Sequence, residues 1–296
     1  MVILMKNKKP FSIIRSRFKC LLNCFQRRII RYESTIPLTD TLAQQVQPVF
    51  VLSTGRCGTK WLTELLAEQT GVLVNHALQP ELVRQSKLAY ENWQTHPQQQ
   101  LEIVRAARDD LISAANSAHR TYIETNNRIT FFAWQLIQAY PNSKFIHLYR
   151  HPADFVRSGM RRNWYNGSSA DLGRITMSDL QKWKTLSQFE KIAWLWNETN
   201  AFISRFLKEL SPSHYFIISS EVLFSDPERV KVLCDFMQVK TISLDTIVKK
   251  QTKPVNVQKQ GDFPRYEDWS LEQQEQLRAW CPLAEMYGYN LNDVIV

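Results

Sequence analysis

Three features of the sequence predict an α/β fold in which a parallel β-sheet is flanked by helices. Short runs rich in β-branched and aromatic residues (49–53, 121–125, 144–150 and 214–220) alternate with segments of helical periodicity. Such alternation implies crossover connections, and hence parallel strands. Two of these runs lead straight into a turn and a helix, at Gly55 and at Arg150. Ligands of open parallel sheets sit beyond the carboxyl ends of the strands, where both turns fall. The third feature is size: 296 residues, 44% of them hydrophobic, suffice for one large domain core.

The amino-terminal arm stands apart. Residues 1–32 hold nine of the 37 Lys and Arg and no acid, so the remaining 28 basic residues balance all 28 Asp and Glu. The net charge of +9 therefore belongs to the arm. It gives no support to a nucleic-acid groove on the body, and no zinc-finger, RRM or basic-zipper pattern supplies one. Phe11, Ile14, Phe18, Leu21, Leu22, Phe25 and Ile29 recur at spacings of three and four, which predicts an amphipathic helix. It is too short of uncharged residues to span a bilayer, which takes about 20. Three readings remain open for residues 11–31: a helix on a membrane surface, a helix packed on the domain or a partner, or an Arg-rich organelle transit segment. Residues 35–47, with Pro37 and little periodicity, read as a linker. The expected division is an arm and linker over 1–47 and a catalytic domain over 48–296.

Within the body, strand 49–53 precedes a helix from Thr59 to about Gln69 that Gly71 closes. Residues 72–74 form a short apolar run, followed by helices over about 80–93 and 101–119. Strand 121–125 leads to a helix over 131–140 stopped by Pro141. After strand 144–150 comes a helix with Pro152 at its first position, where a missing N–H costs nothing. Ser187 with Glu190 forms a capping box for a long helix reaching about Leu210. After strand 214–220, Ser225 is the expected cap of a helix starting at Pro227, and Ser270 with Gln273 boxes the last helix.

The turn in "VFVLSTGRCGTKWL" (49–62) has the chemistry of a phosphate cradle. A helix entered from a buried strand points its first N–H groups and the positive end of its dipole at the turn. Gly55 and Gly58 let the chain curl around an anion, while Arg56 and Lys60 add charge. It is not a Walker A loop, which needs four residues between its glycines and a hydroxyl for Mg²⁺ after the lysine. Here only Arg56 and Cys57 separate the glycines, and Trp61 follows Lys60.

The five cysteines are odd in number, and only Cys20 and Cys24 are close in sequence. That argues against a disulfide framework and for a reducing, cytoplasmic compartment. The six histidines are scattered without metal-ligand spacing, so no metal site is expected.

With both turns considered, the chain resembles the sulfotransferases that use 3′-phosphoadenosine 5′-phosphosulfate (PAPS), whose fold is P-loop-like. Their 5′-phosphosulfate loop, roughly [KR]-S-G-[TS]-[TS]-x-[LM], is filled by "RCGTKWL" from Arg56 to Leu62. Their 3′-phosphate motif is matched by Arg150, His151, Pro152 and Ser158, and "SSEVLFSDPERVKVLCDFMQV" (219–239) is similar to a third segment. The likeness covers about residues 48–290. It implies a strand-loop-helix turn for the phosphosulfate (Gly55, Arg56, Cys57, Gly58, Thr59, Lys60, Trp61) and a 3′-phosphate site at Arg150 and Ser158. Lys259 and Gly261 resemble a segment that closes over the nucleotide. Cys57 stands where the family has Ser, which predicts steric substitution rather than a reactive thiol. Lys60 stands where a hydroxyl normally holds the 5′-phosphate.

The implied reaction is transfer of a sulfonate to a hydroxyl of a carbohydrate, lipid or other small acceptor. Charge building on the oxygen between sulfur and phosphate calls for a fixed donor, the role expected of Arg56. Arg56 cannot act as an acid, because it does not deprotonate. A base must take the acceptor's proton, and the resemblance implies a His or Glu about twenty residues past Arg56. His76 stands there, with Glu124 and Glu81 as alternatives. Trp164 and Tyr165 either line an acceptor pocket or simply pack. Two rival functions remain: a P-loop kinase, and an idle module that binds a nucleotide or a membrane.

Overall fold

A computed structural model of the protein describes residues 37–77, 79–167, 171–252 and 261–291. All three readings of residues 11–31 lie outside them. Residues Ile36–Val296 form one compact unit.

Its centre is a sheet of five parallel strands: β1 (Val49–Leu52), β2 (Val72–Asn75), β3 (Thr121–Glu124), β4 (Lys144–Tyr149) and β5 (Tyr215–Ser219). The order is β2-β3-β1-β4-β5, and Val49 stands opposite Ile123 on one side and Lys144 on the other. The order reverses at β1, so the crevice at its carboxyl end is flanked by the ends of β3 and β4.

Alternation of side chains splits the core in two. Val49 and Val51 face one layer with Ile146, Leu148 and the helix α1 (Thr59–Leu66), while Phe50 and Leu52 face the other with Phe145. Every residue of β1 is buried, as expected of a strand covered on both faces. In chain order follow α2 (Val83–Asn92), α3 (Pro97–Ser117), α4 (Ala133–Ala139), α5 (Pro152–Met160), α6 (Gln188–Leu207), α7 (Ser220–Ser225), α8 (Pro227–Met237), α9 (Leu244–Gln251) and α10 (Leu271–Trp280). α6 buries Trp196, Phe202 and Phe206 against the Phe50 layer, and α8 buries Leu233 and Met237 against the other. Fully burying such a side chain contributes roughly 1.5–3 kcal/mol.

The two capping boxes, Ser187 with Glu190 and Ser270 with Gln273, are both formed. Three local expectations are corrected. Residues 37–47 are not a bare linker: Leu38, Ala43 and Val46 are buried in the core and Asp40 pairs with Arg105 at 2.6 Å. The helix expected from Pro80 begins at Val83, because the carbonyls of Pro80 and Glu81 accept from the Arg108 and Asn126 side chains and Leu82 takes φ 62°. The helix starting at Pro227 is capped by Asp226, whose carboxylate accepts from the Arg229 amide, whereas the Ser225 hydroxyl donates back to the Glu221 carbonyl.

Candidate active site

All five strand ends supply the candidate site: the Gly55 turn after β1, His76 after β2, Thr125 to Arg128 after β3, Arg150 after β4 and Ser220 after β5. The Gly55 turn is tied down through its carbonyls. Ser220 Oγ donates to Cys57 O at 2.7 Å, Arg150 Nη1 donates to Arg56 O at 3.2 Å, and Thr130 Oγ1 both accepts from Ser53 N and donates to Ser53 O. Gly58 sits at φ 94°, and a Cβ there would lie 2.7 Å from the Phe224 ring, so only glycine fits without movement. The N-cap of α1 is Gly58, which offers no side-chain acceptor, so among the described residues the first N–H groups of the helix face the turn uncapped.

Side chains of the turn point in different directions. Cys57 is fully buried, with its thiol donating to Gly55 O at 3.0 Å and lying 3.1 Å from Thr54 Oγ1. Burial pushes that thiol up to about 11, so it stays protonated and packs inward. Trp61 is also buried; its indole N–H donates to Lys250 O at 3.0 Å and its ring meets Phe224 edge-on. Thr59 is buried, and Lys60 is exposed, 4.0 Å from Glu64. Cys57 and Trp61 thus shape the loop through packing, leaving main-chain groups and Lys60 to meet a ligand.

Arg56 turns away from its own loop toward α5. Its Nε donates to Ser158 Oγ at 3.4 Å, 102 residues distant in sequence. Arg162 Nη1 donates to the same hydroxyl at 2.7 Å. Arg150 stands beside them, held to Asp154 at 2.7 Å in a half-exposed pair. Burial, then the cations Arg56, Arg161 and Arg150, lower Arg162 to about 10. Burial followed by Arg150 likewise lowers Arg56. Clustered guanidiniums that depress one another are relieved by an anion, which is the fit a phosphate group requires. Arg162 was missed in the sequence, although its i, i+4 spacing from Ser158 was there to read.

His76 stands at the rim of the site, with Nδ1 3.0 Å from Thr125 Oγ1. That hydroxyl also lies 2.6 Å from Thr63 Oγ1 and 3.2 Å from Asn75 O, and Thr63 Oγ1 donates to Thr59 O. Two hydroxyl protons cannot serve four contacts. Adding an N–H at His76 Nδ1 serves the most, which leaves the lone pair on Nε2. Partial burial lowers the His76 pKa; the Thr125 backbone opposes this, Lys60 and Arg56 add to it, and Glu81 opposes it. The ring is therefore neutral at pH 7.

Glu124 is excluded as the base. Its carboxylate is buried and held by Arg108 through two bonds of 2.6 and 2.7 Å, with the Tyr122 hydroxyl as a third donor. Glu81 lies partly buried near His76 and contributes to its electrostatics. Gly261 reaches the site: it takes φ 75°, and its carbonyl accepts from Arg161 Nε at 3.0 Å. Lys259 lies outside the described residues. Trp164 and Tyr165 are packing residues, one under the Arg174 guanidinium at 4.0 Å and the other bonded to Ile175 O at 2.7 Å. Among the described residues, no group of three or more His, Cys, Asp or Glu could hold a metal ion, and no helix is long and apolar enough to cross a membrane.

Comparison with solved structures finds likeness to a sulfotransferase from Alicyclobacillus acidocaldarius, at 18% identity and TM-score 0.49 over 82% of this chain and 96% of that one. A sulfotransferase domain from the curacin biosynthetic pathway follows at 16% and 0.47, over 83% and 98%. The sulfotransferase domain of the Synechococcus PCC 7002 olefin synthase stands at 17% and 0.44, over 83% and 96%. No curated protein matches. The assignment rests instead on a family model, described as the sulfotransferase family, that matches residues 48–242. That span runs from β1 through the Gly55 turn, His76, Arg150 and Ser158 to the end of the third segment, and on it the chain belongs to the sulfotransferase family.

Proposed function

We propose that residues 48–296 transfer the sulfonate of PAPS to a hydroxyl of a carbohydrate, lipid or other small acceptor. The observation that carries this reading is the meeting of two anion sites across one crevice, the uncapped α1 behind the Gly55 turn and the Arg56, Arg150 and Arg162 cluster on Ser158. One nucleotide with phosphates at both ends of its ribose satisfies both.

When bound, PAPS supplies the sulfonate and a leaving group that is already a stable phosphate anion. The main chain from Gly55 to Trp61 and the Lys60 ammonium hold the phosphosulfate. Arg150, Ser158 and Arg162 hold the second phosphate, with Gly261 closing beside Arg161. Arg56, whose guanidinium rests on Ser158, would turn back toward its own loop to place positive charge on the leaving oxygen. His76 takes the acceptor's proton at Nε2 while Thr125 holds Nδ1–H. No step needs Mg²⁺, consistent with the absence of a hydroxyl after Lys60.

The test is transfer of radiolabelled sulfonate from PAPS into a fractionated extract, with and without EDTA. Label incorporation that EDTA leaves intact is expected. Labelling that instead follows the terminal phosphate of ATP and requires Mg²⁺ would mark a kinase.

A further inference from the structure

Next to the Gly55 turn lies a partly open cavity of about 30 Å³, lined among others by Ser53 and Thr54 of that turn, Asn127 and Arg128 after β3, Arg174, and Thr199 of α6. Asn127 joins the two spaces, since its side chain stands 3.1 Å from where a Gly55 Cβ would be. Three observations give the cavity a sign. Arg128 donates to the carbonyl of Gly173 at 3.0 Å, and among the described residues no carboxylate lies within 4.0 Å of it. Thr199 is 2% exposed, and among the described residues its hydroxyl has no partner, not even the carbonyl one helical turn back that such a threonine usually takes. Arg174 adds a second guanidinium, already matched by Asp171 at 2.9 Å. The lining therefore carries one positive charge in excess and a spare hydroxyl proton.

A partly buried guanidinium that Glu81 reaches only from beyond 4.0 Å gains from a closer counter-charge, and a buried hydroxyl without a partner is costly. One oxyanion relieves both. A water needs about 10–15 Å³ of such volume, so the space admits roughly two oxygen atoms, the size of a carboxylate head. We propose that this cavity is an acceptor subsite that binds a carboxylate group between Arg128 and Thr199, making the preferred acceptor a hydroxy compound that also carries a carboxylate. The inference rests on the sulfonate-transfer reading above, and the Arg128 pKa, lowered by burial and by Arg174 against the opposing pull of Glu81, agrees with it.

The test uses the full chain labelled with ¹⁵N-arginine and saturated with adenosine 3′,5′-bisphosphate, so that added anion cannot occupy the phosphate positions. Sodium acetate is the probe, followed at the Arg128 Nε–Hε resonance, which R128K identifies by its loss. A saturable shift is expected, with acetate binding about tenfold or more weaker in T199V and largely kept in R128K, read there from neighbouring resonances. Absence of a saturable shift, or equal acetate binding in T199V, would overturn the subsite even if sulfonate transfer is intact. In a second arm, labelled products from the extract are stripped of sulfonate and methyl-esterified. Recovery of a carboxylate in the main product assigns the anion to the acceptor, and a neutral main product overturns that assignment. Acetate binding with no transfer into any fraction would overturn the functional reading, and with it the acceptor.

Discussion

At Thr125 the hydroxyl sits where two oxygens, Thr63 Oγ1 and Asn75 O, and one imidazole converge, and its bonding fixes which face of His76 is basic. His76→Gln should lower turnover by roughly 10²–10⁴ while nucleotide affinity, measured by calorimetry, changes little. The pH dependence follows from the direction of the shift. Burial puts the His76 pKa below its ordinary 6.5, and the neutral ring is the base, so turnover should rise with pH through a limb below 6.5 and stay level above it. A limb above that value would point to another base. At this scale the sequence was informative where spacing carries chemistry, as for Arg150, Ser158 and His76. It was mute about direction: nothing in "RCGTKW" says that Cys57 and Trp61 point inward, because their burial is decided by Phe224, Lys250 and Ser220, more than 150 residues away. Glu124 illustrates the same limit. It stood in the sequence as an alternative base, and only the fold brings Arg108 onto it.

The strands show why most elements were readable. Each is a compact apolar run bounded by turns, so their existence followed from composition, while helix ends shifted wherever carbonyls found tertiary partners, as at Pro80 and Glu81. One polar residue within β4 makes a testable exception. His147 is 1% exposed, bonded through Nε2 to Asn200 Oδ1 at 2.9 Å, and burial pushes its pKa down to about 4. The unfolded chain, with an ordinary value of 6.5, binds the proton more readily than the folded one. Its neutral burial is therefore without penalty above about pH 6.5, and stability is lost as pH falls from there toward 4. The loss from this group is roughly 3 kcal/mol. Urea unfolding at pH 4 and pH 7 should show a smaller acid-dependent loss in His147→Gln, and an unchanged loss would mean that the imidazole is already solvated in the native protein.

Across the whole molecule, the parallel order β2-β3-β1-β4-β5 gathers residues from five strand ends into one crevice. The order itself was not legible in the sequence, since local pattern gives strands but not neighbours. It is set by pairings between strands far apart in sequence, such as Val49 with Ile123 on one side and Lys144 on the other. The same order makes two demands on one ligand, because the Gly55 turn and the Ser158 cluster lie on different connections and are joined by Arg56 and Arg150. Many phosphates would satisfy the turn alone, so the cluster is what singles out a nucleotide with a second phosphate. A charge-assisted contact is worth roughly 1.5–3 kcal/mol, about 10- to 150-fold in affinity. The most direct measurement is calorimetric binding of adenosine 3′,5′-bisphosphate against AMP in EDTA. The account predicts that the bisphosphate binds tighter by at least that factor and that Arg150→Ala or Arg162→Ala removes most of the difference. Equal binding of the two nucleotides by the unmutated protein would contradict it.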